Sequence, residues 1–328
     1  MNEIATRVIP ESATAEAARC LAEGGLVAFP TETVYGLGAD ATNGTAVARL
    51  YAAKGRPSFN PLIAHVYDVV AARRLASFDA AAERLAAAFW PGPLTLVLRK
   101  WVGCPVADLA TAGLDSIAVR VPSHKIARDI ISRLGKPVVA PSANRSGHVS
   151  PTTAEHVRSD LGGRIDLIVD GGPALVGIES TIVALLDRPL LLRPGGLPRE
   201  QVERVLDAEL EEVPAGSVDP EAPLAPGMMQ SHYAPRAQLR LRAERVEPGE
   251  ALLAFGPALL PGSEHAERVL NLSPAGDLVE AAANLFSDLR ALDDAGVSSI
   301  AVMAVPQTGL GEAINDRLAR AAAPRDRR

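Results

Sequence analysis

Along the first 210 residues, short apolar runs alternate with longer stretches in which apolar positions recur every three or four residues. These are the periods of buried strands and of amphipathic helices. Residues 14–22, 45–53, 69–75, 80–89 and 125–134 read as helices, and residues 26–29, 62–66, 94–98, 116–121 and 137–140 as strands. Gly24 and Gly25 close the first helix. Thr152 and Glu155 have capping-box spacing and open another helix that ends near Leu161. Strands over 167–170, 180–185 and 190–193 and a helix over 198–210 complete an α/β pattern.

The pattern then stops. Residues 211–226 combine Pro, Gly, Ala and acidic residues without apolar periodicity, as linkers do. Beyond them, strands are expected over 251–255, 269–272 and 298–305, with helices over 275–292 and 312–322. The reading is a domain over 1–210, a linker over 211–236 and a smaller Rossmann-like α/β domain over 237–328. A chain of 328 residues suits two domains.

Charge separates the same parts. The net charge is −6, with 33 basic and 39 acidic residues. Up to residue 200 there are 21 basic and 19 acidic residues, and afterwards 12 and 20. Neither part is basic enough for a strong non-specific hold on nucleic acid. With 6 Phe, 2 Trp and 4 Tyr, aromatic platforms for stacking bases are scarce as well. Cys20 and Cys104 lack metal spacing and make no disulfide framework, so a reducing compartment is expected. No apolar stretch approaches the ~20 residues of a membrane span, and the first residues lack a signal-like apolar core. A cytoplasmic protein is the expectation.

Phosphate-binding motifs of the P-loop and dinucleotide types are missing. Small polar and cationic residues instead cluster where strands end, the usual ligand face of an open α/β sheet. Thr31, Glu32 and Thr33 follow one strand, where an ordinary capped turn is the plain alternative. Lys54, Gly55, Arg56 and Pro57 put two cations on a turn. Ser116 and Arg120 share a face of one strand, and a buried Arg there requires an anion, either a ligand or a structural Asp or Glu. Ser142, Asn144 and Ser146 form a cluster of small donors, equally compatible with an Asx or Ser turn. Glu179, Ser180 and Thr181, then Arg193 before Gly195 and Gly196, repeat the theme.

Together, the segments 25–40, 54–65, 90–98, 116–122, 137–151, 179–182 and 192–196 closely resemble the YrdC-like family. The run from Pro226 through Met228, Met229, Gln230, Ser231, His232 and Tyr233 to Pro235 resembles the signature of its long two-domain form, the L-threonylcarbamoyladenylate synthases. The resemblance implies a YrdC-like twisted mixed sheet with helices, plus the smaller C-terminal domain. It also implies a nucleotidyltransferase that joins L-threonine, bicarbonate and ATP into threonylcarbamoyl-AMP and releases pyrophosphate. Downstream tRNA threonylcarbamoyltransferase machinery would then carry the group to tRNA, which this chain would meet only indirectly, and no membrane is involved.

By the same resemblance, Thr33, His65, Arg120, Ala140 and Ser180 would hold threonine. Arg56, Asn60, Ser116, Ser142, Ser150, Arg193 and Tyr233 would hold ATP, and Lys54 with Arg56 would act on the reacting phosphates. Mg²⁺ would arrive mainly through the ATP phosphates, since no carboxylate cage is visible. His232 and Tyr233 would form a lid over the nucleotide. Where some relatives carry basic residues before this His, Gln230 and Ser231 stand here, which removes cationic help from the lid. A non-catalytic RNA-binding or ribosome-maturation factor is the alternative, and it has no need of a substrate Arg or a closing linker.

Overall fold

The computed structural model describes residues 5–213 and 233–323. Most of the expected linker, including His232, lies outside the described residues.

In chain order, the first elements are β1 (Arg7–Pro10), α1 (Thr14–Ala22), β2 (Val27–Pro30), β3 (Tyr35–Asp40), α2 (Gly44–Lys54) and β4 (Ile63–His65). Then come α3 (Val69–Arg73), α4 (Ala80–Phe89), β5 (Leu94–Arg99), β6 (Ser116–Arg120), α5 (Lys125–Leu134) and β7 (Val138–Val139). After these lie α6 (Ala154–Leu161), β8 (Leu167–Asp170), β9 (Thr181–Leu185), β10 (Pro189–Arg193), α7 (Arg199–Leu206) and β11 (Glu211–Glu212). The last are β12 (Gln238–Arg240), β13 (Glu250–Ala254), β14 (Val269–Asn271), α8 (Leu278–Asp294), β15 (Ser299–Val302) and α9 (Leu310–Ala322).

Among the described residues, eleven strands form one mixed sheet in the order β1-β8-β2-β3-β7-β4-β6-β5-β9-β10-β11. Period-2 alternation divides its side chains between two cores. Ala28, Leu37 and Leu96 face a core completed by α2, α4, α6 and α7. Val27, Phe29 and Val138 face another, completed by α1 and α5. The second sheet, β12-β15-β13-β14, is parallel throughout.

Where elements differ from expectation, the causes are local. No element is expected over residues 34–44, yet residues 35–40 form a six-residue buried strand antiparallel to β2. Its glycines mark close approach rather than a turn. A Cβ on Gly38 would stand 2.6 Å from the Phe29 ring. The cap of α6 is Thr153, whose hydroxyl accepts from His156 N at 3.2 Å, one residue past the expected capping box. Thr152 instead pairs with Ser287 Oγ at 2.8 Å. The helix expected over 198–210 stops at Leu206, because Asp207 turns left-handed at φ 55°.

The two sheets are joined by a shared apolar core. Leu253, Leu285, Phe286 and Ile314 of the C-terminal part pack with Val34, Val149 and Ile178 of the first. Gly177 permits the approach: it has φ 78°, and a Cβ there would lie 2.3 Å from the Ala282 carbonyl oxygen of α8. Arg290 pairs with Asp160 at 2.9 Å and Arg199 with Glu312 at 3.0 Å across the same junction. Among the described residues, no helix is long and apolar enough to cross a membrane.

Candidate active site

The ends of β2, β4, β6 and β10 and the turns after β7 and before β9 converge on one cleft. It encloses about 550 Å³ of empty space including its open mouth. Thr33, His65, Arg120, Ala140 and Ser180 line it, together with Arg56, Ser142, Arg193 and Tyr233. Thr31 and Glu179, which were not named as site residues, line it too.

On one wall, β4 and β6 run parallel and place His65 beside Arg120. The anion that meets Arg120 is Glu32: Nη2 donates to Oε1 at 2.7 Å and to Thr33 Oγ1 at 3.0 Å. The structural carboxylate foreseen as the plain alternative is therefore present. Nε donates to Gly92 O at 3.3 Å, which leaves Nη1 as the part of the fork without a hydrogen bond to another described residue. Burial alone would raise the Glu32 carboxyl, but the charge and hydrogen bond of Arg120 hold it below the usual carboxylate range.

His65 Nδ1 lies 3.2 Å from the Ile63 carbonyl. A carbonyl only accepts, so Nδ1 carries the hydrogen and Nε2 keeps a lone pair. Burial, reinforced by the positive charge of Arg120, pushes this imidazole down to about 3, so it is neutral at pH 7.

The opposite wall is built around Ser180. Its Oγ is 2.8 Å from Thr95 Oγ1, and its carbonyl accepts from Arg193 Nε at 3.1 Å and Nη2 at 2.8 Å. Next to it, Glu179 accepts from Ser150 Oγ at 2.5 Å and from Arg317 Nε at 2.8 Å. Burial would raise Glu179, but the charges of Arg317 and Arg193 draw it down to about 2. Arg317 is the functional candidate that the sequence reading missed. Its signal is an Arg on the stripe of Ala313, Ile314, Leu318 and Ala321 that α9 buries.

Four named residues do not line the cleft. Lys54 is buried behind it and donates to the carbonyl oxygens of Ser142, at 2.6 Å, and Asn144, so its ammonium holds the turn that presents Ser142. Ser150 donates its hydroxyl to Glu179, which does line the cleft. The Asn60 carbonyl is within 3.4 Å of Arg56 Nε, while Arg56 Nη2 donates to Pro61 O at 3.1 Å. Ser116 stands apart, four residues back along β6 and paired with Arg99.

Cations outweigh carboxylates here. Among the described residues, Lys54, Arg56 and Arg193 form no ion pair and are held by neutral oxygens. Burial lowers Arg56 to about 10 and takes Lys54 well below its usual range, with the charge of Arg56 adding to the effect on Lys54. Desolvated cations without anions are costly unless a ligand brings the charge. No group of three or more His, Cys, Asp or Glu is placed to hold a metal among the described residues. The carboxylates of the cleft are themselves taken by arginines, so its side chains do not fit a resident metal.

Tyr233 completes the lining of the cleft. It is buried, with its ring stacked on Phe286 at 5.4 Å and the Arg317 guanidinium 5.2 Å from the ring centroid. Its φ is 63°, a left-handed conformation that costs a non-glycine residue about 1–3 kcal/mol and that the surrounding contacts must offset.

The buried groups set an acid limit. Burial also lowers His156 to about 4, aided by the Arg290 charge, whereas burial raises Asp288 to about 6. An unfolded histidine titrates near 6.5, so between pH 6.5 and 4 the unfolded chain binds two more protons at His65 and His156 and one fewer at Asp288. Net, stability should fall by up to about 1.4 kcal/mol per pH unit as pH drops through that window. Below about 4.3 the loss steepens, because Glu179 keeps its charge in the folded state down to about 2. Urea unfolding from pH 7.5 to 4.5 measures this, and a flat profile between 6.5 and 5 would contradict it.

Known proteins place this arrangement. A family model described as "Telomere recombination", covering Sua5, YciO and YrdC, matches residues 19–195. A second, described as the C-terminal domain of threonylcarbamoyl-AMP synthase, matches residues 197–323. The threonylcarbamoyl-AMP synthase of Pyrococcus abyssi is 45% identical over 93% of this chain and 92% of its own. That of Bacillus subtilis is 43% identical over 95% and 93%. The crystal structure of P. abyssi Sua5 complexed with L-threonine superposes with a TM-score of 0.86 at 40% identity, covering 97% of each chain. With the match running through both sheets and the residues that line the cleft, the chain belongs to the threonylcarbamoyl-AMP synthase family.

Proposed function

We propose that the cleft makes threonylcarbamoyl-AMP by nucleotidyl transfer, with threonine on the wall of Arg120 and His65 and the nucleotide on the wall of Arg56, Arg193 and Tyr233. The observation that carries this reading is that Arg56 and Arg193, held by neutral oxygens, line the same cleft as Arg120, with Lys54 buried behind the Ser142 turn. The threonine amine and bicarbonate condense to a carbamate with loss of water; a carbamate oxygen then bonds to the α-phosphorus of ATP as the bond to the β-phosphate oxygen breaks and pyrophosphate leaves. Both reactants are anions, so the task is to neutralise charge and align them rather than to supply a strong base.

Arg120 Nη1 serves the threonine carboxylate, while Glu32 fixes the rest of the fork. The neutral His65 Nε2 and the hydroxyls of Thr33 and Ser180 meet its polar groups, and Ala140 keeps the floor small. Such a site rejects analogues that leave its polar atoms unpaired. Arg56 and Arg193 take phosphate charge, and Ser142 donates from the turn that Lys54 holds. Lys54 thereby acts through that turn. Asn60, Ser116 and Ser150 complete the nucleotide set inferred from the resemblance, Ser150 through Glu179. Mg²⁺ enters as part of its complex with ATP, and no step above passes through it.

We take residues 1–210 as the catalytic domain, 211–236 as linker and lid and 237–328 as the C-terminal domain. The product passes to tRNA threonylcarbamoyltransferase machinery in the cytoplasm. The test is pyrophosphate release from ATP with and without threonine and bicarbonate. Release that requires both supports the reading, and release indifferent to either overturns it.

A further inference from the structure

The C-terminal part places one charged group at the cleft. Arg317 projects from α9 with no exposed surface, and its three guanidinium nitrogens are all engaged. Nε donates to Glu179 Oε2 at 2.8 Å, Nη2 to Pro194 O at 3.0 Å and Nη1 to Asp316 Oδ2 at 2.5 Å. Its carbon lies 5.2 Å from the centroid of the Tyr233 ring, which also stacks on the ring of Phe286 on α8. Arg317 therefore touches the neighbours of the site on three sides: Glu179 and Tyr233, which line the cleft, and Pro194, which follows Arg193. No described residue of the eleven-stranded sheet forms an ion pair with Glu179: from that side it receives a hydrogen bond from the neutral Ser150 hydroxyl and the charge of Arg193.

We propose that Arg317 is a positioning residue for the nucleotide: helix α9 completes the cleft by locking Tyr233 and Glu179 into its wall. This rests on the reading above that Arg193 and Tyr233 hold ATP. A planar guanidinium is required because one group must donate in two directions while its face lies on an aromatic ring. A lysine ammonium keeps the charge that Glu179 needs but cannot do all three. The C-terminal part then contributes to nucleotide affinity, while threonine, whose carboxylate is held on the far wall by Arg120, meets this side only through Ser180 and is little affected.

The test is titration of the full-length protein with ATP and, separately, with L-threonine, for wild type, Arg317→Lys, Arg317→Gln and Arg290→Gln. Arg290 bridges the same junction through Asp160, the Val149 carbonyl and a long 3.5 Å contact to the Ser150 carbonyl, without touching Tyr233, Glu179 or the Ser150 hydroxyl, so its variant controls for loosened docking. Arg317→Lys should weaken ATP about tenfold and Arg317→Gln more, with threonine affinity within twofold of wild type and Arg290→Gln near wild type for both. Arg317→Lys carries the decision if Arg317→Gln does not fold. Unchanged ATP affinity in Arg317→Lys overturns the proposal, and so does equal weakening of ATP by Arg290→Gln or equal weakening of both ligands. Binding is read without turnover. A wild-type protein that binds ATP but releases no pyrophosphate therefore counts against the proposed reaction rather than against the role of Arg317.

Discussion

Arg120→Ala is expected to reduce kcat/KM for threonine at least a hundredfold, which is about 2.7 kcal/mol of transition-state stabilisation. Two effects combine in that variant. The guanidinium facing the substrate carboxylate is lost, and Glu32 is left as a buried carboxylate without its counter-charge. Breaking a buried pair in this way costs about 3–5 kcal/mol, so part of the loss will be a loss of folded protein. Arg120→Lys separates the two. It retains a positive charge for Glu32 but lacks the planar fork that reaches Glu32, Thr33 and a ligand together. Initial rates against threonine concentration, read beside urea unfolding, should show Arg120→Lys folded and still deficient for threonine. A wild-type KM for threonine in either variant would remove Arg120 from the substrate wall.

Tyr233→Ala should lower turnover about tenfold to a hundredfold and raise the KM for ATP, with the KM for threonine changed far less. The ring is packed between Phe286 and Arg317 on the cleft, so its removal opens a gap between the two sheets rather than within either one. Truncating a buried aromatic costs about 3–5 kcal/mol, and here the cost falls on the junction. The core around Leu37, Leu96 and Val119 belongs to a separate cluster and should keep its secondary structure. Circular dichroism together with substrate kinetics distinguishes these outcomes. A uniform fall in both affinities, or global unfolding, would mean that Tyr233 is only a packing anchor.

The expectations that hold and those that do not differ in where their information lies. Residues 80–89, 125–134 and 167–170 read correctly as α4, α5 and β8 because apolar period and caps are local: Asp79 caps α4 through Ala82 N, and Gly135 ends α5 in a left-handed turn. β3 went unassigned because its glycines weaken the strand pattern, and only the position of Phe29 shows that they serve close strand packing. The cap of α6 slipped by one residue because Thr152 and Thr153 are equivalent in sequence until Ser287 claims the first.

By itself, the sequence determined the α/β class, most helices and strands, and the clusters of Thr, Ser, Lys and Arg at strand ends, since each depends on neighbours a few positions apart. It also carried the motifs through which the family is recognised. Only the tertiary structure decided which partners those residues have. Arg120 finds Glu32 across 88 positions and Arg317 finds Glu179 across 138, separations that no periodicity encodes. It likewise set Ser116 apart from the cleft that holds Arg120, although both share one strand. The reason is energetic. A buried cation must be met by whatever oxygen the fold brings within about 3 Å, and that choice is made by packing of the two sheets, not by the chain on either side of it.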